Sequence, residues 1–469
     1  MARTPEQWLD FLAQQMDTRR PRLNELRAYL TGDAPLPDGA EECRDAYLAL
    51  QKKARTNFAE LVVESVADRM RVSGFQVGES AEDDDTAREL WEFNHMDTGS
   101  ADVHRDMLGL GESYVMVSPP LESGEPPIIT AERPEQVIVE HDPVRHHVVR
   151  AALKVYRDEP EGVDYAFLHL PGRLHPYSRP AETTAIPRRD DPIFRAQGGW
   201  IPGTDDDAGL PTGLPVVPIV PFFNRDRRGE FENHVDVLDR INWIILQRLV
   251  ITAMQAFRQR ATKGDLPDVD EQGNPIDYAE LFKPGPGALW RLPEGVELWE
   301  SAQTNLQDVL ESVKADVTHL AAVTRTPVSV LMPEGQNQSA EGAAFAREGL
   351  VFKTEDRIAR VDSSWERVMR IAFAIAAETD DPPHVDVQWM PAERQSMAER
   401  YDALTKAGDD VPWRTKMQRI LQFPSDEVDR MAAERAEDLM LAMSAAPEQA
   451  QPQIPAAEQQ PETAGAEVG

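Results

Sequence analysis

The reading of the fold turns on Val235–Thr262, VDVLDRINWIILQRLVITAMQAFRQRAT, and on its downstream counterpart Thr304–Thr326, TNLQDVLESVKADVTHLAAVTRT. The first holds no proline or glycine across its length and is apolar on most faces, through Ile241, Trp243, Ile244, Ile245, Leu246, Leu249, Val250, Ile251, Met254 and Phe257. As one helix it is about 40 Å long. In the second, Leu306, Leu310, Val313, Val317, Leu320 and Thr324 step 4-3-4-3-4, the spacing of a seam that packs against another helix. A third segment, Ser339–Thr379, is free of proline and places Ile358, Val361, Trp365, Val368, Ala372 and Ile375 at 3-4-3-4-3.

Between the first two segments lies a compact insert. Asp270-Glu-Gln-Gly273 reads as a turn, and Ala288–Trp299 (ALWRLPEGVELW) reads as a β-hairpin turning at Pro293-Glu294-Gly295. Trp290 and Trp299 flank that turn at similar distances and are placed to pair across the strands. Two long helices running out to a small β-insert and back make a stalk with a tip.

Upstream, Pro5–Tyr29 has helical spacing through Trp8, Leu9, Leu12, Met16, Leu23, Leu26 and Leu30. Ala46–Arg71 reads as a second helix ended by Gly74, and Thr86–Asn94 as a third beyond an acidic loop. From residue 111 the period changes. Glu112–Val117, Gln136–Glu140, Val148–Tyr156 and Tyr165–Leu170 read as short strands, and Arg179–Leu214 as a long loop or flap. Leu214–Phe223 (LPVVPIVPFF) carries prolines at 215, 218 and 221, so it reads as an extended, edge-like connector and not a central strand. Downstream, Ala392–Lys406, Pro412–Leu421 and Ser425–Met443 read as short helices. Ala445–Gly469, built of Ala, Pro, Gln and Glu, reads as a disordered acidic tail. The fold class expected is α+β, mainly helical.

Charge narrows the function. The 469 residues carry a formal net charge of −33, which opposes phosphate binding by a basic patch. Acidity of this size also fits an acidic host proteome. It argues against a DNA-binding regulator, but not against a conduit, which must let DNA slide without gripping it. A single cysteine, Cys43, excludes an internal disulfide and reads as a small buried residue. Met1–Met16 has no apolar run of the secretory kind. Ile241–Phe257, interrupted by Gln247, Arg248 and Gln255, is shorter than the roughly 20 apolar residues of a bilayer span. A soluble protein that engages no membrane is expected.

Signatures of catalysis are missing from the sequence. It contains no Gly-Lys-Ser/Thr, His-Glu-x-x-His, Cys-x-x-Cys or Gly-x-Ser-x-Gly. His141, His146 and His147 would need Glu140 or Asp142 to complete a metal site, and they read as a surface turn. Asp83–Asp85 and Asp205–Asp207 read as solvated charge runs. The expectation is a protein that is not an enzyme, with no cofactor, metal or catalytic residue. More informative is Thr326–Glu341, TPVSVLMPEGQNQSAE, which joins two long helices through two prolines and a polar run. It reads as an interhelix loop or, alternatively, as a projecting loop whose amides and single carboxylate (Glu334, Gln336, Asn337, Gln338) face a passage. Neutral amides touch DNA without the salt-dependent grip of Lys or Arg.

In order and spacing these parts resemble the portal proteins of tailed phages, in the family typified by the phage SPP1 portal and in actinobacteriophage form. The resemblance rests on Leu26–Leu36 (LRAYLTGDAPL), Asn57–Phe75 leading into Gly-Phe, Leu110–Val117 (LGESYVMV), Pro218–Asn224 (PIVPFFN), Thr324–Val328 (TRTPV) and Gln338–Glu341 (QSAE). It covers the chain to about Ala445. It implies a wing over 1–235 and 340–390, stem helices over 236–262 and 303–327, a clip over 263–302, a tunnel loop over 328–339, a crown over 391–445 and a tail over 446–469. It further implies a homo-oligomeric ring, normally of twelve subunits, assembled in the host cytoplasm and placed in the virion at one capsid vertex. Double-stranded DNA would pass through the ring without sequence-specific binding. The partners implied are the terminase large subunit, a head-completion or adaptor protein, the major capsid protein and scaffold. Two other readings of the residues stand beside it: an acidic phage structural or scaffold-type protein without a channel, and an unsignatured metal-dependent hydrolase.

Overall fold

A computed structural model describes residues 3–37, 44–78, 84–122, 124–181, 195–203, 208–256, 260–264, 268–269, 273, 275–278, 295–300, 305–333, 340–379, 381–393, 397–408, 410–421, 423 and 425–445. The fold is α+β and mainly helical. The chain divides into two compact units, Met1–Glu393 and Arg394–Gly469.

The first unit opens with α1, Pro5–Leu30, started by a capping box in which Thr4 and Gln7 exchange bonds of 3.3 and 3.1 Å. One face of α1 buries Leu9, Leu12, Ala13 and Met16 against Leu153, Val155, Ala166 and Leu168 of a sheet. Its arginines reach further. Arg19 binds Glu112 (2.9 Å) and Tyr114 (3.0 Å), Arg22 binds Glu232 (2.6 Å), and Arg27 binds both Asp106 (2.5 Å) and Glu135 (2.8 Å).

The single helix expected over 46–71 is two, α2 (Arg44–Ala54) and α3 (Phe58–Ala67). Asn57 breaks it by capping α3, accepting from the Glu60 amide at 3.2 Å, while the Thr56 amide is held by Asn242 at 3.0 Å. Gly74 ends no helix. It lies inside β1 (Val72–Val77), which pairs with a distant strand near residue 387. Helices α4 (Asp85–Phe93) and α5 (Met96–Leu110) follow, the latter unanticipated and stopped by Gly111 at φ +87.

Next come β2 (Glu112–Ser118), β3 (Ile128–Glu132), β4 (Val137–His141), β5 (Val149–Asp158), β6 (Val163–Leu170), β7 (Arg173–Pro180), β8 (Ile201–Pro202), β9 (Leu210–Pro211) and β10 (Ile219–Phe223). Two sheets result: β4-β5-β6-β7-β8, with β9 also on β7, and β10-β2-β3. Strand β7 was not expected: it fills the stretch between the expected strand Tyr165–Leu170 and the flap, and takes the flap's first two residues, Arg179 and Pro180. The proline-rich run does become an edge. Among the described residues β10 pairs with β2 alone, Pro221 lies opposite Tyr114, and the Pro221 carbonyl accepts from Ser364 at 2.9 Å.

Of the long helices, α6 is Val235–Ala256, α7 is Leu306–Thr324, α8 a short Val328–Leu331 and α9 Ala340–Ala376. The expected stem helix is too long at its far end. Arg260–Lys263 is a strand, β11, paired antiparallel with β12 (Glu297–Glu300). That register places Lys263 opposite Glu297, a favourable opposite-charge pair. Past α9, β13 (Val385–Trp389) closes back on β1. Trp365, fully buried, is the hub of the main core. Phe222 lies 4.6 Å from it and Trp91 5.0 Å, ring to ring, and its Nε1 donates to His104 Nε2 at 2.9 Å.

The second unit holds α10 (Met397–Lys406), a helical segment over 413–420 and α11 (Ser425–Ala445). Arg400 donates to the Leu421 carbonyl at 3.1 Å, Arg414 pairs with Asp429 at 2.7 Å, and Val428 is fully buried. The tail 446–469 lies outside the described residues.

Candidate channel element and its anchorage

Helices α6 and α7 form an antiparallel hairpin. Arg240, in the second turn of α6, pairs with Asp316, just past the middle of α7, at 2.9 Å, while the β11–β12 ladder joins the chain beyond the end of α6 to the chain before the start of α7. At about 1.5 Å per residue the 22 residues of α6 span about 33 Å. The seam buries Val317 and Leu320 completely and leaves Leu306, Leu310 and Val313 half-buried. Burial is therefore concentrated at the base, where Leu238, Ile241, Ile245 and Leu246 of α6 share the core with Val317, Leu320 and Ala321. Trp243 breaks this pattern, standing 48% exposed on α6.

The base is tied down by ion pairs. Glu230, 5% exposed, receives Lys353 at 2.9 Å and Arg357 at 2.6 Å, and Asn224 donates to it at 3.0 Å. Lys353 also donates to the Thr324 carbonyl at 2.9 Å, capping the last turn of α7 from α9. Burial by itself would raise the Glu230 carboxyl, but the two cations more than offset it and hold the acid below its ordinary range. Burial pulls the Lys353 ammonium down in spite of Glu230. Arg325 ends α7 in the left-handed region, at φ +54.

The connector leading from β10 to α6 is threaded tightly over α5. The Asn224 amide donates to the Gly111 carbonyl (3.0 Å) and the Glu230 amide to the Leu108 carbonyl (2.7 Å). A Cβ on Gly229 would sit 2.1 Å from the Gly109 carbonyl oxygen, and one on Gly111 2.4 Å from that of Arg227. Only glycine fits at either crossing. Hairpin, connector and α9 thus meet in one charge-neutralised joint, suited to holding geometry rather than to moving protons.

Several expected site residues fall elsewhere. Glu334, Gln336, Asn337 and Gln338 lie outside the described residues, as does Trp290. Trp299 is in β12, 55% exposed, and its register partner is Ala261. His141 and His146 flank the turn after β4, where Asp142 accepts from the Val144 and Arg145 amides at 2.9 and 2.8 Å. No group of three or more metal-ligating side chains is found among the described residues, and no described helix is long and apolar enough to cross a membrane. Sequence reasoning missed Glu230, Lys353 and Arg357. The available signal was that Lys353 and Arg357, one turn apart, share their stripe of α9 with the buried Leu350, Thr354 and Val361.

The family model described as "Phage portal protein, SPP1 Gp6-like" matches residues 9–439. The portal protein of Mycobacterium phage L5 is 28% identical over 382 residues, covering 76% of this chain and 73% of its own length. That of Mycobacterium phage D29 is 27% identical over 379 residues, with 75% and 72% covered. Among solved structures, the neck of an empty gene transfer agent particle computed with C6 symmetry aligns at a TM-score of 0.46 and 11% identity, covering 85% of this chain and 99% of that one. With the family model running from residue 9 to residue 439, through β-sheets, hairpin, long helix and C-terminal helices alike, the chain belongs to the SPP1 Gp6-like family of phage portal proteins.

Proposed function

We propose that copies of this chain close side by side into a ring, of twelve in the virion, whose central hole is the passage for double-stranded DNA at one capsid vertex. The genome enters through it during packaging and leaves through it at ejection. The observation that carries this reading is the α6–α7 hairpin, antiparallel and anchored at its base by Glu230, Lys353 and Arg357, in a member of a portal family. On this reading residues 1–235 with 340–390 are the wing, 236–262 with 303–327 the stem, 263–302 the clip, 328–339 the tunnel loop and 391–445 the crown. The chain itself is passive in chemistry. Packaging work comes from a terminase docked at the ring, and a head-completion protein replaces it afterwards. Scaffold and major capsid protein surround the ring during assembly in the host cytoplasm.

Mass photometry of the purified chain tests this directly. Closed particles near twelve times 52.5 kDa, or a neighbouring whole-number multiple, are expected. A chain that remains monomeric at micromolar concentration refutes it.

A further inference from the structure

A cleft of about 430 Å³ opens between the connector Asn224–Glu230, the last turn of α7 and the middle of α9. Lys353 and Arg357 form its floor and are committed to Glu230. Its rim is different. Arg225, Arg228 and Arg325 are exposed, and Arg325 has no ion-pair partner among the described residues. Among the described residues, the Arg228 side chain is held by Asn233 alone, and that of Arg225 by no more than a 3.9 Å approach to Asp226, a side chain that is itself 82% exposed. The cleft therefore gathers five cations against the carboxylates of Asp226, Glu230 and Asp356, on a chain whose net charge is −33. Beside these cations stand two apolar side chains with no cover, Val323 (50% exposed) and Phe352 (62%).

Two occupants suit a cationic cleft, nucleic-acid phosphate and protein carboxylate, and the surroundings favour the second. Phosphate tracking calls for a stripe of cations along a groove, whereas here the rim cations stand around a short, mostly polar cleft, interspersed with the carboxylates of Asp226 and Asp356 and beside the exposed Val323 and Phe352. Arginine beside exposed aromatic and aliphatic surface is the composition of a protein–protein contact. A closed ring adds a further requirement. Neighbours carrying −33 each repel at long range, so their contact must bring cations of one copy against carboxylates of the next. In a rotationally symmetric ring the two faces of that contact are different surfaces, so one flank can hold the cations and the other the acids.

We infer that this cleft is the acceptor half of the subunit–subunit contact, taking a carboxylate-bearing, partly apolar surface of the adjacent copy between Arg225, Arg228 and Arg325 and against Phe352. The inference rests on the ring reading above and assigns it a surface.

The test uses the full chain in three forms, alongside the unmutated protein: Arg225→Glu with Arg325→Glu, Phe352→Asp, and Arg145→Glu as a control on an exposed turn of the wing sheet. All four positions are exposed, so thermal melting of the monomer should be unchanged. Mass photometry over a dilution series should show the concentration for half-assembly rising at least tenfold for the first two and staying put for the control. Rings from both cleft variants that match the unmutated chain overturn the assignment. So do variants that assemble normally yet fail to retain packaged DNA, an outcome that gives the cleft to phosphate. If the unmutated chain forms no ring, the ring reading itself has failed, and that is visible without any variant.

Discussion

Replacing Glu230 by glutamine keeps the shape of the side chain and removes its charge from a position that is 5% exposed. Lys353, 4% exposed, then loses its counter-charge and keeps neutral acceptors, the Thr324 carbonyl and the amide oxygen of the new glutamine, while Arg357 keeps Asp356. Stranding a buried ammonium in this way costs about 3–5 kcal/mol, a large part of the roughly 5–15 kcal/mol that stabilises a typical domain. Removing both charges, Glu230→Gln with Lys353→Met, should restore more than half of the loss, because a neutral pair leaves no unpaired ion. Urea denaturation of the monomer measures both variants. Hydrogen exchange over 317–325 reports locally, since the last turn of α7 loses a cap when Lys353 shifts. A single variant costing under about 1 kcal/mol, with unchanged exchange in α7, would show that the joint does not anchor the hairpin.

Other expectations follow from particular sites. His104 is fully buried, with Nε2 accepting from Trp365 and its other ring nitrogen on the Met70 carbonyl at 3.0 Å, and burial pushes its pKa down to about 4. The unfolded chain therefore binds a proton that the folded one refuses. Stability is complete above about pH 6.5 and falls as the pH drops toward 4, by about 2–3 kcal/mol from this residue between pH 7.5 and 4.5, and denaturation midpoints across that range check it. Gly229→Ala forces a Cβ onto the Gly109 carbonyl oxygen and should cost about 1–3 kcal/mol or more, read as a lower melting temperature or loss of soluble protein. Deleting Glu334–Gln338 should leave rings intact and impair DNA packaging or retention. Normal packaging after that deletion removes these residues from the passage.

Elements whose burial follows local periodicity were legible in the sequence. α1 is marked by Trp8 through Leu30, α7 by the 4-3-4 seam, α9 by Val361, Trp365 and Val368, and the edge position of β10 by its prolines. Elements defined by a distant partner were not. Ala54 and Phe58 are four apart, so apolar spacing runs on across the α2–α3 break, and Asn57 acts as a cap only where Asn242 holds the chain. Arg260–Lys263 continues a helix-compatible run and becomes a strand because Glu297–Glu300 lies beside it. α5 hides behind Gly99, Gly109 and a polar composition whose His104 and Ser100 are buried nonetheless. The joint at the base of the hairpin was hidden for the same reason: Lys353 and Arg357 share a helix stripe with Leu350 and Val361, but nothing local pairs them with Glu230, which looks like a surface charge until the fold brings them together. The site was thus legible as a hairpin with a seam, and its anchorage was not.

A reconstruction of particles assembled from the purified full-length chain, at a resolution that separates helices, examines the central claim most directly. It should show a closed ring with an open lumen, bordered by α6–α7 hairpins of successive copies and joined at their bases to α9. A single-copy particle, or a ring whose hairpins point away from the lumen, would contradict it.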